Sequence, residues 1–418
     1  VTARIITADC RDAMREFDAD SVDAIVTDPP YGLSFMGKGW DHGVPGVEFW
    51  TAALRVAKPG AHLLAFGGTR TFHRLAVAIE DAGWEIRDCV MWVYGSGFPK
   101  SLDVSKAIDR AAGAEREQVS ASGGLHANRL LNDDGWGKIG AAAPTMDSAT
   151  PVTDAARRWS GWGTALKPAW EPVIVARKPL TGTVAANVLQ YGTGAINVDA
   201  CRVGTDGGCA GAGAGPAVTC FGGGLNGTFA QPVPGLGRWP ANVIHDGSDE
   251  VVALFPMQSS GELSPDNDMR PSNGWLRSTD RVKRTFESNS GSAARFFYTA
   301  KADRADRDEG LHHRTTKRSD YRPNDSEDST LRSRLHNSVP RGNHHPTVKP
   351  VDLMRYLCRL VTPPGGTILD PFAGSGSTGK ACLLEGFDFI GIELDPEYAA
   401  IARDRIYATA PLFAGADL

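Results

Sequence analysis

Two short stretches of this chain carry residue types that could do chemistry together. The first is Asp28-Pro29-Pro30-Tyr31. Two prolines fix the backbone and remove two N–H donors, so the turn displays acceptors. An aspartate and the rigid carbonyl of Pro29 can together hold an amino group that carries two N–H bonds. The ring of Tyr31 just behind can stack on a planar base. Read alone, the same four residues also describe a Pro-Pro turn with a packed tyrosine. The second stretch runs from Leu369 to Gly379, where Gly374, Gly376 and Gly379 satisfy G-x-G-x-x-G. Such a turn lets backbone N–H groups and a ligand approach closely. Glu393 follows Gly376 by 17 residues, at the end of the next apolar run. A carboxylate there can accept hydrogen bonds from both hydroxyls of a ribose, so the pairing points to an adenosine-containing cofactor. The bland alternative is a helix-capping turn with a surface glutamate.

The elements that must position these residues are legible at both ends of the chain. Residues 4–7, 22–27 and 61–66 read as strands, and 85–94 as one or two more. Residues 12–17, 47–57 and 71–82 read as helices, the second stopped by Lys58-Pro59-Gly60. Asp28 thus stands at the C-terminal end of a strand, where ligands of open α/β sheets sit. The last seventy or so residues repeat the pattern. Residues 351–361, 377–385 and 396–406 read as helices, the first with Pro350 at its start, and 367–370 and 387–393 as strands. Strands alternating with helices predict an α/β fold with a mostly parallel sheet.

The middle differs. Residues 204–227 hold ten glycines, too many for a regular element, and are expected to be a mobile loop. Residues 270–341 carry 16 Lys and Arg against 10 Asp and Glu, in a chain whose net charge is -5. A local excess of positive charge matters more to an anionic polymer than the global sum does. A solvated, arginine-rich loop is the plain alternative. The composition is that of a globular chain, with 41% hydrophobic and 22% charged residues, which excludes a wholly disordered one. No run of about 18 apolar residues exists, so no membrane span is expected. The N-terminus lacks a basic region followed by an apolar stretch and reads as mature protein. Seven cysteines without a C-x-x-C pair argue against a disulfide scaffold and fit a reducing cytoplasm. Cys201, Cys209 and Cys220 with His245 lack paired metal spacing, so no metal site is expected. The pairs His312-His313 and His344-His345 are read as contacts to phosphate or solvent. Trp159, Trp162, Trp239 and Trp275 are read mainly as small-core anchors.

With both motifs in hand, the chain resembles the DNA amino-methyltransferases that use S-adenosylmethionine, of the permuted kind in which D-P-P-Y precedes F-x-G-x-G. Thr27-Asp28-Pro29-Pro30-Tyr31-Gly32, His345-Pro346-Thr347-Val348-Lys349-Pro350 and Leu369 to Gly376 carry the resemblance, in that order. Weaker echoes fall at 166–172 and 237–242. The resemblance implies a Rossmann-like, mostly parallel methyltransferase sheet with helices on both faces, circularly permuted. A catalytic half over 1–99 and a cofactor half over 343–418 would flank a large irregular target-recognition insert over 100–342. Strand 4–7 would pair with strand 387–393, and one antiparallel strand would lie near residues 90–93.

The resemblance also implies roles. Asp370, Phe372, Gly374, Ser375 and Gly376 would shape the cofactor pocket at its methionine end, and Glu393 would hold the ribose. Asp9, with Cys10 beside it, would lie near the cofactor adenine, and Lys349 on its carboxylate side. Asp28 and the Pro29 carbonyl would receive the target amine, and Tyr31 would stack on the base. The implied reaction is methyl transfer to the N6 amine of an adenine flipped out of double-stranded DNA. Transfer to the N4 amine of cytosine is the alternative, and an aspartate at 28 favours adenine within this family. A nicotinamide-dependent oxidoreductase is a second alternative, which leaves Asp28 to Tyr31 and the basic middle unexplained. A restriction endonuclease partner, a solitary or phage enzyme, and a homodimer are all compatible with the resemblance.

Overall fold

The computed structural model describes residues 1–33, 43–97, 101–116, 150–204, 237–259, 290–300, 305–311, 314, 342–345 and 347–409. Its strands are β1 (Ala3–Thr7), β2 (Val22–Thr27), β3 (Ala57–Phe66), β4 (Glu85–Val93), β5 (Trp170–Arg177), β6 (Val243–His245), β7 (Met257–Ser259), β8 (Ser290–Ser292), β9 (Tyr298–Thr299), β10 (Thr367–Asp370) and β11 (Asp388–Glu393). β2 is buried at all six positions, as a central strand covered on both faces must be. Successive side chains point to opposite faces of a sheet, and the two cores follow that rule. Ala24, Val26, Leu64 and Phe66 face one core with Leu353 and Leu357 of the helix Val351–Val361. Ile25, Leu63 and Ala65 face the other with Met14, Trp50 and Leu75, from helices Cys10–Arg15, Val47–Val56 and Phe72–Asp81.

Among the described residues the main sheet has nine strands in the order β1-β11-β10-β2-β3-β5-β4-β6-β9. β1, β11, β10, β2 and β3 run parallel. β1 pairs with β11 from Ala3↔Phe389 to Thr7↔Glu393, as expected. Taken in circular order, the strands run outward from β10 through β11 to β1 and resume on the other side of β10 at β2 and β3, so the order reverses between β10 and β2. The crevice beyond the C-terminal ends of strands at such a switch point is where open α/β sheets bind ligands.

One expectation needs correction. The antiparallel strand is β5, inserted between β3 and β4, and not the segment near 90–93. β4 instead runs parallel to its other neighbour, β6. Val173–Ala176 is a buried apolar run, and a buried strand must pair the backbone groups along both its edges. The chain splits into one unit of Val1–Gly95 with Trp170–Leu418 and a second of Ser96–Ala169. β5, β6 and β9, all from within 100–342, are thus built into the main sheet.

In the smaller unit, helices Val104–Ala111 and Asp154–Arg158 are tied together by Asp109. Its buried carboxylate accepts from the Val152 and Thr153 amides, the Thr153 hydroxyl and Arg116 Nε. Trp159 and Trp162 meet edge to face and stay exposed, so they do not anchor a core. Residues 205–236, with most of the Gly-rich stretch, lie outside the described residues, as do Cys209, Cys220, Trp275, His312-His313 and most of 270–341.

Candidate active site

Asp370 closes β10 and is buried, with three donors on its carboxylate. The Thr27 hydroxyl donates to Oδ1 at 2.6 Å, the Phe372 amide to Oδ1 at 3.1 Å and the Thr378 hydroxyl to Oδ2 at 2.5 Å. Burial pushes this carboxyl up to about 6, against the pull of those donors. All three partners donate, which suits the ionised form. The Thr27 bond crosses the switch point and joins the last residue of β2 to the last residue of β10. Asp28 follows directly, so the two motifs meet at adjacent strand ends.

The Gly-rich turn is held from two sides. Gly374 and Gly376 take left-handed backbone, φ +52° and +80°, which a side chain would strain. The Gly374 amide donates to Glu393 Oε2 at 2.8 Å, and Glu393 Oε1 accepts from the Asp395 amide at 2.9 Å. Each oxygen keeps a second lone pair for a ligand. Burial raises the Glu393 carboxyl above its usual range, against the lowering by these amides. On the other side Arg405, fully buried, reaches the Ser375 carbonyl and donates to its hydroxyl at 2.9 Å. It also donates to the Asp306 carbonyl at 2.7 Å.

Asp9 lies just beyond β1, next to the Glu393 end of β11, where the Ala8 amide donates to the Glu393 carbonyl at 3.1 Å. It caps the helix Cys10–Arg15 and pairs with Arg11 at 2.7 Å. Arg11 lies over the Phe49 ring, which in turn touches Phe372 with centroids 5.9 Å apart. Cys10 points into the core, and burial pushes its thiol up to about 12. A thiol so placed packs rather than reacts.

At the other motif, Tyr31 is fixed by its backbone and its hydroxyl. Thr71 Oγ1 donates to the Tyr31 carbonyl at 2.7 Å. The Tyr31 hydroxyl lies 2.8 Å from Asp28 Oδ1 and 3.1 Å from Glu171 Oε2. Lys349 Nζ sits among them, 2.8 Å from Asp28 Oδ2, 3.2 Å from Glu171 Oε2 and 3.1 Å from the Tyr31 oxygen. Burial lowers the lysine, but the carboxylates of Asp28 and Glu171 outweigh it and hold the ammonium above its usual value. Pro29 is buried and Pro30 half-buried behind this cluster. The structure thus groups Asp28, Tyr31 and Lys349 at one place, and Asp370, Phe372, Gly374, Ser375, Gly376 and Glu393 at another, with Thr27 as the tie. Lys349 contacts the Asp28 cluster and makes no bond to Glu393 or Asp370.

Three residues of the site were not read from the sequence. Glu171 stands in the stretch 166–172, which resembled family segments but carried no assigned role. Thr27 and Thr378 look like ordinary strand and helix residues, and only the fold brings them to Asp370.

Residues 260–404 match the family model described as DNA methylase, of the N6/N4 type. The type II methyltransferase M.XycI of Xanthomonas campestris pv. cyanopsidis is 43% identical over 70 residues, 17% of this chain and 23% of that protein. M.SmaI of Serratia marcescens is 41% identical over 70 residues, 17% of this chain and 24% of that protein. The chain therefore spans about a quarter of the length of the curated relatives it matches. A crystal structure of the M1.HpyAVI–SAM complex covers 97% of this chain and 100% of its own at 16% identity, with a TM-score of 0.37. The chain thus carries, over 260–404, a region that matches the N6/N4 DNA methylase family, and Lys349, the Gly-rich turn and Glu393 all lie within it.

Proposed function

We propose that this protein methylates DNA, taking the methyl group from S-adenosylmethionine and placing it on the N6 amine of adenine. The observation that carries the reading is the Thr27–Asp370 bond, which sets the Asp28 carboxylate beside the Gly-rich turn. The donor set fits this cofactor. Asp9, Asp370 and Glu393 bring carboxylates to the strand ends around the turn, which suits a ligand bearing a sulfonium and an ammonium. Glu393 would take the ribose hydroxyls, with Phe372 and the turn Gly374-Ser375-Gly376 lining the pocket. A nicotinamide dinucleotide is disfavoured by the same contact that shapes the turn. Its pyrophosphate needs amides at the helix start, and Glu393 already takes the one from Gly374.

When bound, the cofactor supplies an electrophilic methyl carbon. The chain's own residues prepare the amine. An exocyclic amine is a weak nucleophile because its lone pair is delocalised into the ring. Asp28 and the Pro29 carbonyl accept its two N–H bonds and draw the nitrogen toward a pyramidal geometry. Asp28 then holds negative charge where positive charge develops, so it works by position and field. Tyr31 supports the base by stacking. Target recognition is placed in the region 100–342, and the type II setting of the named relatives makes a paired endonuclease part of the proposal.

The test is methyl-labelled S-adenosylmethionine with unmodified duplex DNA, followed by digestion to nucleosides. Label in N6-methyladenine is expected, and its loss in Asp28→Ala. Label in N4-methylcytosine would move the target to cytosine, and no label in DNA would overturn the reading.

A further inference from the structure

The acceptor that the proposed reaction needs is already engaged. Asp28 Oδ1 accepts from the Tyr31 hydroxyl and Oδ2 from the Lys349 ammonium, both at 2.8 Å. An ammonium at that distance neutralises the field that a developing cationic nitrogen requires. Tyr31 is held too, since its hydroxyl is tied down while its ring must be free to meet a base. A second carboxylate waits on the same two donors. Glu171 Oε2 lies 3.1 Å from the Tyr31 hydroxyl and 3.2 Å from Lys349 Nζ. Glu171 Oε1 is held separately by the Tyr94 hydroxyl at 3.4 Å. Glu171 opens β5, the antiparallel strand, whose direction brings this end of it to the C-terminal ends of β3 and β4. The two carboxylates thus compete for one ammonium and one hydroxyl proton, and a movement of a few tenths of an ångström exchanges the closer partner.

Resting on the methyltransferase reading, we propose that Glu171 is a positioning residue that receives Lys349 and the Tyr31 hydroxyl when the target amine arrives, so that Asp28 is uncovered for the amine. Until the amine displaces it, Lys349 acts as a cap on Asp28. The charge of the cluster, two carboxylates and one ammonium, stays the same through the exchange, and no proton leaves it.

The test is a double-mutant cycle in methyl transfer at saturating cofactor, with kcat and the KM for DNA measured separately. Glu171→Gln should lower kcat by at least about tenfold, as loss of one oriented electrostatic partner does, because Lys349 then has no second carboxylate to move to. Cofactor affinity by calorimetry should change by less than about twofold, the scale of a contact not made. In a Lys349→Met or Lys349→Gln background, Glu171→Gln should have little further effect, since no cap remains to be drawn off. A merely structural Glu171 would lower activity equally in both backgrounds, and that equality would overturn the proposal. So would wild-type kcat in Glu171→Gln. A Lys349 variant that binds cofactor and DNA with wild-type affinity yet gives no transfer would also overturn it, because a cap is not needed once the amine is in place. Absence of transfer by the wild-type protein is a different result, and counts against the methyltransferase reading itself.

Discussion

Thr27 and Asp370 stand 343 positions apart in the chain and 2.6 Å apart in the fold. Thr27→Val keeps the shape and deletes the hydroxyl, leaving one oxygen of a buried carboxylate short of a partner. Such a loss costs about 1–3 kcal/mol, so urea denaturation should show a lower midpoint with an unchanged slope. At the turn, Glu393→Gln keeps the volume but exchanges an acceptor for a donor that faces the Gly374 or Asp395 amide. Charged hydrogen bonds contribute about 1.5–3 kcal/mol each, so calorimetry should show S-adenosylmethionine bound roughly tenfold to a hundredfold more weakly. Unchanged affinity would remove Glu393 from the pocket. The places of Asp28, Tyr31 and Glu393 at strand ends were legible in the sequence, because each stands in or next to a short motif that follows an apolar run. Glu171 was not, because its role depends on which strand lies next to β3.

At the scale of elements, the parallel strands announced themselves as apolar runs bounded by helices. β5 did not, for its run of Val, Ile and Ala is four residues long, follows Pro172 and lies in a region dense in Gly and Pro. The tertiary context supplies what local pattern lacked, since pairing on both edges makes even a short run a central strand. The turn before the helix Ser377–Glu385 belongs to this scale too. A Cβ on Gly376 would lie 3.0 Å from the Ala402 Cα and Cβ, and the backbone there is left-handed. Gly376→Ala should therefore cost about 1–3 kcal/mol of stability. It should also weaken cofactor binding, as the helix shifts to relieve the contact. A variant with wild-type melting temperature would show that the helix adapts freely.

The whole molecule carries a pH dependence away from the site. His62 in β3 is 6% exposed, and burial, with help from Arg177 and Arg87, pulls its imidazole down to about 4. The unfolded chain then binds more protons than the folded one between about pH 6.5 and 4, so stability is full above that window and falls as the pH drops through it. From pH 7.5 to pH 5 the loss is roughly 2 kcal/mol. His62→Leu should reduce the fall in melting temperature over that range, and identical pH profiles would exclude His62 as the cause. The basic stretch 270–341 belongs with the proposed action on DNA. If it contacts phosphate, reversing charge at Lys283 and Arg284, which lie outside the described residues, should weaken DNA binding and flatten its salt dependence. Unchanged affinity and salt slope would move DNA contact elsewhere in 100–342.

The pairing of β1 with β11 also sets a timetable. Ala3 meets Phe389 in register, so β1, once made, waits for a neighbour made nearly four hundred residues later. At synthesis rates of about 5–20 residues per second, that delay is on the order of 20–80 s. Until then β1 has no strand beside it, and β2 lacks β10. Pairings this distant in the chain also close slowly, because loop entropy must be overcome before the contacts form. The segment from β1 to β3 thus presents open sheet edges for much of the chain's synthesis, and chaperone occupancy and protease sensitivity should fall together once residues 367–393 have emerged.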